Sequence, residues 1–385
     1  MKKIIFIFFL FAFSCEKKND VKNYKSKFDG KEIILSKELS ISTIPPISSS
    51  YQIHTIFNDS LFFGLNPYLN HNSISVFDIK NETFVKNLVI DSNLFKSDIM
   101  NLHVHNPDSL FFYSYETKNV YLIDFEGNQI NHWNLDTVSG KKYPGKNGFF
   151  FPFNAYNKFS YLESDKILIM PIADNYFYSE EGDSNLPKLV IFDIEKNSIT
   201  DFIAPPFGRL KNRKKLFYPN DVINPQIVVL KGSIYVSYPF DDEIAVFDIG
   251  TGKLIKSMNP LVNNELPLFE PKDSEFMSMR EKSWSFRVEM PFFENLSYHK
   301  ETGLFSRVYH YPYSQELDTE KTYLRKSSIV FFDKNLDFVG KTDFENGEIG
   351  VFRNSSLKDG YLSGESDYLV VSEDKLVHNK VYKFQ

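Results

Sequence analysis

Cys15 is the residue whose type and position together suggest the most defined chemistry in this chain of 385 residues. It is the only cysteine of the sequence, so no disulfide can form within the chain. It follows Ser14 at the end of an apolar run, Ile4–Phe13, which two lysines precede. Positive charge, an apolar run and a small residue in this order are typical of a signal peptide. We therefore predict a signal peptide over residues 1–14 and attachment of lipid at Cys15.

The apolar run is too short to cross a membrane, because it has ten residues and a bilayer core of roughly 30 Å needs about 20. Ala12-Phe13-Ser14-Cys15 resembles a relaxed form of the lipobox of bacterial lipoproteins. By that resemblance, an aspartate after the cysteine would retain the protein in the inner membrane, and Glu16 stands there instead. An outer-membrane lipoprotein is expected, facing either the periplasm or the cell surface, and an ordinary secretory signal with an incidental cysteine is the alternative. Residues 15–30 are predicted to be a solvated tether.

Two histidines, His103 and His105, have the spacing that places both imidazoles on one side of a strand. Imidazole pairs are common in metal sites, but such sites need further ligands. The sequence shows no third ligand at matching spacing. His54 lies at the position equivalent to His103 in the repeat described below. We favour ordinary packing and hydrogen bonding for these side chains, and we predict neither a metal nor a cofactor.

The acidic residues form no pattern that identifies a catalytic pair. The run Asp241-Asp242-Glu243 is expected to lie in a turn, exposed to solvent. Metalloprotease, phosphate-loop and nucleophile-elbow motifs are missing from the sequence, so no catalytic residue is predicted. An active site assembled from one residue of each repeat would leave no local motif, and it stays open. Five apolar segments end in an aspartate before a turn, where a carboxylate can accept hydrogen bonds from the turn backbone: Asp78, Asp124, Asp193, Asp248 and Asp333.

The predicted strands of this chain form an internal repeat. The five letters of Asp59–Phe63 recur as Asp108–Phe112, and each copy joins two apolar strands through a tight polar turn. Three weaker copies begin at Phe159, Gln226 and Leu296. In a sixth copy, the two strands are predicted at 361–363 and 368–370.

Two more strands follow most copies of the hairpin. The third ends in the aspartate described above, and the fourth follows a short turn, as in Gln129–Trp133. One repeat is therefore a meander of four strands, here named A to D, and four-stranded units that recur every 50–70 residues or so are typical of propeller blades. Hydrophobic residues make up 42% of the chain and aromatic residues 16%, which suits buried strands. We predict an all-β, six-bladed propeller over residues 31–385.

The two ends of the chain are predicted to close this ring together. The sixth copy lacks a strand D, because the sequence ends with a strand that matches strand C, Val381–Phe384. Glu32–Leu35 is an unassigned apolar segment at the other end of the chain. If it pairs with Val381–Phe384, it supplies the missing outer strand. An open ring would instead expose strand edges that promote aggregation.

The lipobox, the polar tether and six hairpin-based repeats with Phe-Asp strand ends resemble the TolB-like six-bladed β-propeller lipoproteins of Gram-negative bacteria. The resemblance covers nearly the whole chain after Cys15. Its motifs are structural, and the family implies no catalytic residues. The same fold carries enzymes as well as binding modules, so the fold alone does not assign an activity.

The long connections are predicted on one face of the ring. In a meander, the B–C and D–A connections emerge on the same side, here named the loop face, whereas the A–B and C–D turns are tight. Elaborated loops on a rigid scaffold are where binding tends to occur. The alternative is that the aromatic side chains of these loops only pack on one another. The candidate ligand-binding residues are Arg209, Tyr218, Asn220, Asp221, Trp284, Arg287 and Arg353.

The net charge of the chain bears on the kind of partner that it can bind. The net charge of −6 differs from the basic footprint of nucleic-acid-binding proteins, so we expect no nucleic-acid partner. We expect a lipoprotein held to the membrane through Cys15, whose propeller binds a peptide, a glycan or an envelope protein without catalysis. The alternative is a hydrolase or lyase that acts on a glycan or lactone through residues at the propeller axis.

Overall fold

The computed structural model describes most of the predicted propeller. Within the described residues no helix is long and apolar enough to cross a bilayer. The described ranges are 23–28, 31–41, 53–65, 73–91, 99–114, 117–145, 148–150, 158–174, 186–205, 216–217, 224–261, 266–267, 272–273, 289–312, 325–350, 354–364 and 377–384.

These residues form β-strands joined by turns and longer connections. In chain order the strands are β1 (Asn23–Phe28), β2 (Lys31–Ile41), β3 (Ile53–Phe57), β4 (Leu61–Leu65), β5 (Ser73–Asp78), β6 (Thr83–Val89), β7 (Ile99–Asn106), β8 (Ser109–Ser114), β9 (Asn119–Ile123), β10 (Gln129–Asn134), β11 (Ser139–Gly140), β12 (Phe149–Phe150), β13 (Ser160–Leu162), β14 (Ile167–Pro171), β15 (Ala173–Asp174), β16 (Leu189–Asp193), β17 (Ser198–Ile203), β18 (Leu216–Phe217), β19 (Gln226–Leu230), β20 (Ser233–Ser237), β21 (Ile244–Asp248), β22 (Leu254–Met258), β23 (Lys272–Asp273), β24 (Phe292–His299), β25 (Leu304–His310), β26 (Ser327–Phe332), β27 (Phe338–Phe344), β28 (Asn354–Leu357), β29 (Gly360–Gly364) and β30 (Val377–Phe384).

The strands build six antiparallel blades, as predicted. In strand order A to D, blade 1 is β3-β4-β5-β6, blade 2 is β7-β8-β9-β10, and blade 3 is β13-β14-β16-β17. Blade 4 is β19-β20-β21-β22, blade 5 is β24-β25-β26-β27, and blade 6 is β28-β29-β30-β2. The A strands contact one another in the order β3, β7, β13, β19, β24, β28 and back to β3. The A strands therefore surround the axis of a closed six-bladed β-propeller.

The apolar core is divided into clusters, each between two neighbouring blades. The repeated Phe-Phe pair shows why: Phe62 lies in the cluster between blades 6 and 1, and Phe63 lies in the cluster between blades 1 and 2. Phe112 and Phe111 occupy the equivalent two clusters around blade 2. Successive side chains of a strand point to opposite faces of a sheet, and here both faces are covered by another blade. Burial on both faces explains why the repeated Phe-Phe pairs of β4 and β8 lie within almost entirely apolar strands.

The N-terminal segment closes the ring through the predicted pairing. Strand β2 is antiparallel to β30, with Ile33 opposite Phe384 and Leu35 opposite Tyr382. One feature of the prediction needs correction, because residues 23–28 do not belong to a tether. They form β1, which pairs with β2 as a fifth strand of blade 6 and contacts the outer strand β27 of blade 5.

One further sequence interpretation is wrong. The A–B hairpin of blade 6 is formed by β28 and β29, so residues 361–363 lie in strand B and not in strand A. The predicted second strand at 368–370 lies outside the described residues. The sequence also predicts a short helix over 273–282, with Asp273 as its N-cap. Asp273 belongs to β23 and pairs with Leu216 of β18, and residues 274–282 lie outside the described residues.

Candidate functional site

The candidate ligand-binding residues cannot be placed from the described ranges. All seven, Arg209, Tyr218, Asn220, Asp221, Trp284, Arg287 and Arg353, lie outside the described residues, as does the predicted lipidation site Cys15. Their assignment to the loop face therefore rests on the connections in which they occur.

The lengths of those connections agree with the predicted asymmetry of the ring. The A–B turns between described strands contain two to four residues. The B–C and D–A connections emerge at the opposite end of the strands, and all of them are longer except the B–C connection of blade 2, which has four residues. The longest are 135–159, 204–225 and 259–291.

The strand-end aspartates have the structural role that the sequence suggested. Asp78 Oδ1 accepts hydrogen bonds from the backbone nitrogens of Lys80 and Asn81, at 2.8 and 3.0 Å. These bonds favour the ionised carboxylate, and the bond from the Asn81 backbone is the main reason that the pKa of Asp78 is lowered. The same arrangement of carboxylate and turn backbone recurs at Asp124, Asp193, Asp248 and Asp333.

The two histidines of β7 contact blade 3. Burial, together with the nearby charges of His105 and Lys158, lowers the pKa of His103 to about 4. A hydrogen bond to the backbone of Phe159 acts in the opposite direction on this pKa, so it is the ring that donates it. His105 Nε2 lies 3.3 Å from Glu163 Oε2, and the ring stands edge-on to Tyr161.

Among the described residues, no group of three or more histidine, cysteine, aspartate or glutamate side chains could hold a metal ion.

The most unusual side chain among the described residues is Arg307, in the B strand of blade 5. It is fully buried, and its guanidinium donates to the carbonyl oxygens of Tyr238, Asp241 and Asp242 at 3.0, 2.6 and 3.2 Å. These residues form the B–C connection of blade 4. The guanidinium carbon also lies 3.8 Å from the centre of the Phe293 ring, a cation–π contact. Arg307 thus joins blade 4 to blade 5 at the loop face.

Two residues of the run Asp241-Asp242-Glu243 are not solvated, contrary to the sequence interpretation, whereas Glu243 is partly exposed. Asp241 and Asp242 are buried, with 9% and 5% of their surface exposed. Burial raises the pKa of Asp241 to about 6, and the neighbouring Asp242 adds to this effect. Asn259 donates to Asp242 Oδ2 at 2.6 Å. The turn is enclosed because Arg307 of the next blade packs against it.

A second polar network lies at the loop-face end of blade 5. His310 Nδ1 is 2.8 Å from Ser327 Oγ, and His310 Nε2 is 2.8 Å from Glu294 Oε1. Serine, histidine and glutamate are the residue types of a hydrolase triad. All three side chains, however, are completely buried. A substrate cannot reach a hydroxyl group that is enclosed in this way. The network instead connects three strands of the same blade, β24, β25 and β26.

A third network joins blades 5 and 6. His299 Nδ1 donates to the carbonyl oxygen of Leu357 at 2.8 Å, and His299 Nε2 accepts from Ser306 Oγ at 2.6 Å. Ser306 in turn accepts from the hydroxyl of Tyr361. Only a neutral imidazole can make this chain of bonds. Burial accordingly lowers the pKa of His299 to about 4.

Lys158 is a basic side chain near the axis that the sequence analysis did not single out. It lies two residues before β13, the A strand of blade 3. It is partly exposed, yet burial lowers its pKa to about 8, and no carboxylate of the described residues opposes this effect. A single lysine in a long connection carries no sequence signal that could have identified it.

The fold defines a class of protein, the six-bladed β-propellers, and the comparisons agree. No protein-family model and no curated protein matches the chain. Among solved structures, the chain is similar to a member of the DUF4221 family from Bacteroides vulgatus ATCC 8482, with a TM-score of 0.69 and 14% identity. The match covers 92% of this chain and 98% of the other.

A second similar structure comes from Bacteroides fragilis NCTC 9343, and its name describes an exported protein. The TM-score is 0.51 with 12% identity, over 94% of this chain and 98% of the other. At such low identity, the two likenesses show that the fold is shared and leave the function open.

Proposed function

We propose that this chain is a lipoprotein of the bacterial cell envelope whose propeller binds a peptide, glycan or protein partner through its loop face. The anchor is the lipid at Cys15, and the outer membrane is its location. Catalysis is not part of the proposal.

The observation that carries the proposal is the contrast between the two faces of a rigid ring. The A–B turns have at most four residues, whereas connections of 16 residues or more extend from the other face. Arg307 and His299 donate hydrogen bonds from one blade to the next. A closed ring whose blades are bonded to one another holds its loops in place, and loops positioned in this way are suited to recognition.

The similar structures support export of this chain, but they do not identify a binding partner. One of them is named as an exported protein, which agrees with a signal peptide over residues 1–14. The candidate contacts are the arginines and aromatic residues of the long connections, since these residue types are enriched at the energetic centres of interfaces. Arg209 and Arg287 are the first to examine.

The recognition experiment compares paired variants. Arg209→Ala and Arg287→Ala are expected to lose partner binding in a pull-down from envelope extracts, with an unchanged melting temperature. Lys86→Ala is the matched control, because Lys86 lies on the outer strand of blade 1 and pairs with Glu126. Unchanged binding with a lowered melting temperature would show that the arginines only hold the loops, and the proposal would fail.

The anchoring experiment is separate from the recognition experiment. Cys15→Ala is expected to abolish incorporation of labelled palmitate and to release the protein from the membrane fraction, with the fold intact. Equal membrane retention of this variant would contradict the lipid anchor.

A further inference from the structure

The first strand after the predicted lipid anchor occupies a defined place on the ring. Asn23, the first residue of β1, is opposite Ile34 of β2. Ile34 is opposite Lys383 of β30, and Lys383 is opposite Gly360, which directly follows the A–B turn of blade 6. Neighbouring strands are about 4.8 Å apart, so Asn23 lies roughly 14 Å from Gly360. The anchored segment therefore joins the rim of blade 6 near the face that carries the A–B and C–D turns, here named the turn face.

The chain between the anchor and β1 is short. Only residues 16–22 separate Cys15 from Asn23. Eight residue steps span at most about 29 Å, and this limit depends on covalent geometry alone. If Cys15 carries the lipid, it lies at the membrane surface, and Asn23 is then held within about 29 Å of that surface.

This limit distinguishes the two faces of the ring. Strand β2 runs from Ile34, beside Asn23, to Ile41 at its loop-face end, and seven steps of a strand cover about 23 Å. The long connections extend beyond that end. With the loop face on the membrane, the chain before Asn23 would have to be stretched almost fully. With the turn face on the membrane, the same chain keeps more of its conformational entropy.

The turn face beside the anchored segment is polar, and its charges are balanced. Lys358 of the blade 6 turn pairs with Glu301 of the blade 5 turn at 2.7 Å, and Lys383 lies 3.6 Å from Asp359. Among the described residues, the exposed large apolar side chains lie on the outer strands of blades 1, 2 and 4. A polar surface of this kind is suited to contact lipid headgroups and not to enter the acyl chains, where charge is costly.

We propose that the turn-face edge of blades 5 and 6 rests against the lipid headgroups of the membrane that holds the anchor, so that the loop face points away from the bilayer. This orientation rests on the proposed function, because it takes Cys15 as the lipid-bearing residue. It adds that a partner of the loop face approaches from the side opposite the membrane.

Lysine labelling on vesicles tests the orientation. The chain that begins at Cys15 is coupled through its only cysteine to a maleimide phospholipid in preformed phosphatidylcholine vesicles, and exposed lysines are acetylated and quantified by mass spectrometry. Compared with the free chain whose cysteine is capped, Lys358 should react about threefold more slowly, because headgroups cover it on one side. Lys326 is exposed in the B–C connection of blade 5, on the loop face, and should react equally fast in both forms. Equal slowing of the two lysines, or no slowing of Lys358, would overturn the proposal.

A variant attached through the other face is the control for the position of the anchor. Cys15→Ser combined with Lys326→Cys couples the ring to the vesicles through its loop face, at an exposed position. Lys358 should then react as fast as in the free chain, whereas Lys118, exposed in the B–C connection of blade 2, should react more slowly. Slowing of Lys358 in this variant as well would show that vesicles hinder the reaction wherever the ring is attached, and the orientation would be contradicted.

The outcome is distinguishable from that of the proposed function. Chemical coupling fixes a lipid at Cys15 whether or not cells attach one, so the labelling result does not depend on the incorporation of palmitate. Equal labelling of both faces would remove the orientation and leave lipidation and partner binding by the loop face untouched.

Discussion

Arg307 shows how a single residue can hold two blades together. Burial lowers the pKa of its guanidinium to about 9, but the group stays charged at neutral pH, and Asp241 and Asp242 support the charge. Its hydrogen bonds reach three carbonyl oxygens. The oxygen of Tyr238 also accepts from the backbone nitrogen of Asp241 at 3.1 Å, so the oxygens of Asp241 and Asp242 depend most on the arginine. An enclosed acceptor without a partner is expensive, so the arginine contributes more than its own packing.

Replacing Arg307 is therefore expected to destabilise the ring. Arg307→Met keeps much of the volume but removes the donors and the charge, and it should lower the free energy of unfolding by about 3 kcal/mol or more. Urea denaturation followed by fluorescence would measure the loss. Lys86→Met, which removes an exposed ion pair with Glu126, should cost less than about 1 kcal/mol. Equal effects of the two substitutions would show that Arg307 does not join the blades.

His299 should make stability depend on pH. Its pKa is lowered from 6.5 to about 4 on folding, so the unfolded chain takes up the proton first. The contribution of His299 is complete above pH 6.5 and is lost as the pH falls toward 4, up to about 3 kcal/mol. Asp241 opposes part of this loss, because its pKa is raised in the folded state.

The comparison with His299→Gln isolates this contribution. The variant should show a flatter fall in melting temperature between pH 6.5 and 4 than the original chain. Parallel curves for the two proteins would rule out His299 as the titrating group.

At the scale of single elements, the described strands agree with the sequence patterns except where long-range contacts decide. Most strands of blades 1 to 5 could be predicted, because the apolar runs and tight turns are local signals. Strand β1 was missed since Lys25, Ser26 and Lys27 suggested a solvated segment, although Tyr24 and Phe28 flank them. The environment of Asp241 was also missed, because the side chain that covers it comes from the next blade. Local patterns do not report such contacts.

The closing strand can be tested by deletion. Removal of residues 32–40 should lower the melting temperature of the entire ring, because blade 6 would lose β2 and expose β30 as an edge. Deletion of residues 16–22, which precede β1, is the control and should leave the melting temperature unchanged. A ring that keeps its stability without residues 32–40 would show that β2 is dispensable.

At the scale of the whole molecule, the six clusters of apolar residues and the circle of A strands describe one closed ring. The repeat in the sequence predicts the number of blades, because each blade needs a neighbour to bury its two apolar faces. The site could not be predicted to the same extent. Arg307 and Asp241 come together only when blades 4 and 5 are placed side by side, and neither one belongs to a chemical motif.

Closure of the ring by the N-terminal strand holds the loop face in place. Hydrogen–deuterium exchange along the full chain tests this closure most directly. Backbone amides of residues 33–41 that face β30 are expected to exchange as slowly as those of β29, because β2 pairs with β30 along this whole segment. On its other side, β2 pairs with β1 only within residues 31–34. Exchange of residues 33–41 within seconds, with the rest of blade 6 protected, would contradict closure of the ring by the N-terminal strand.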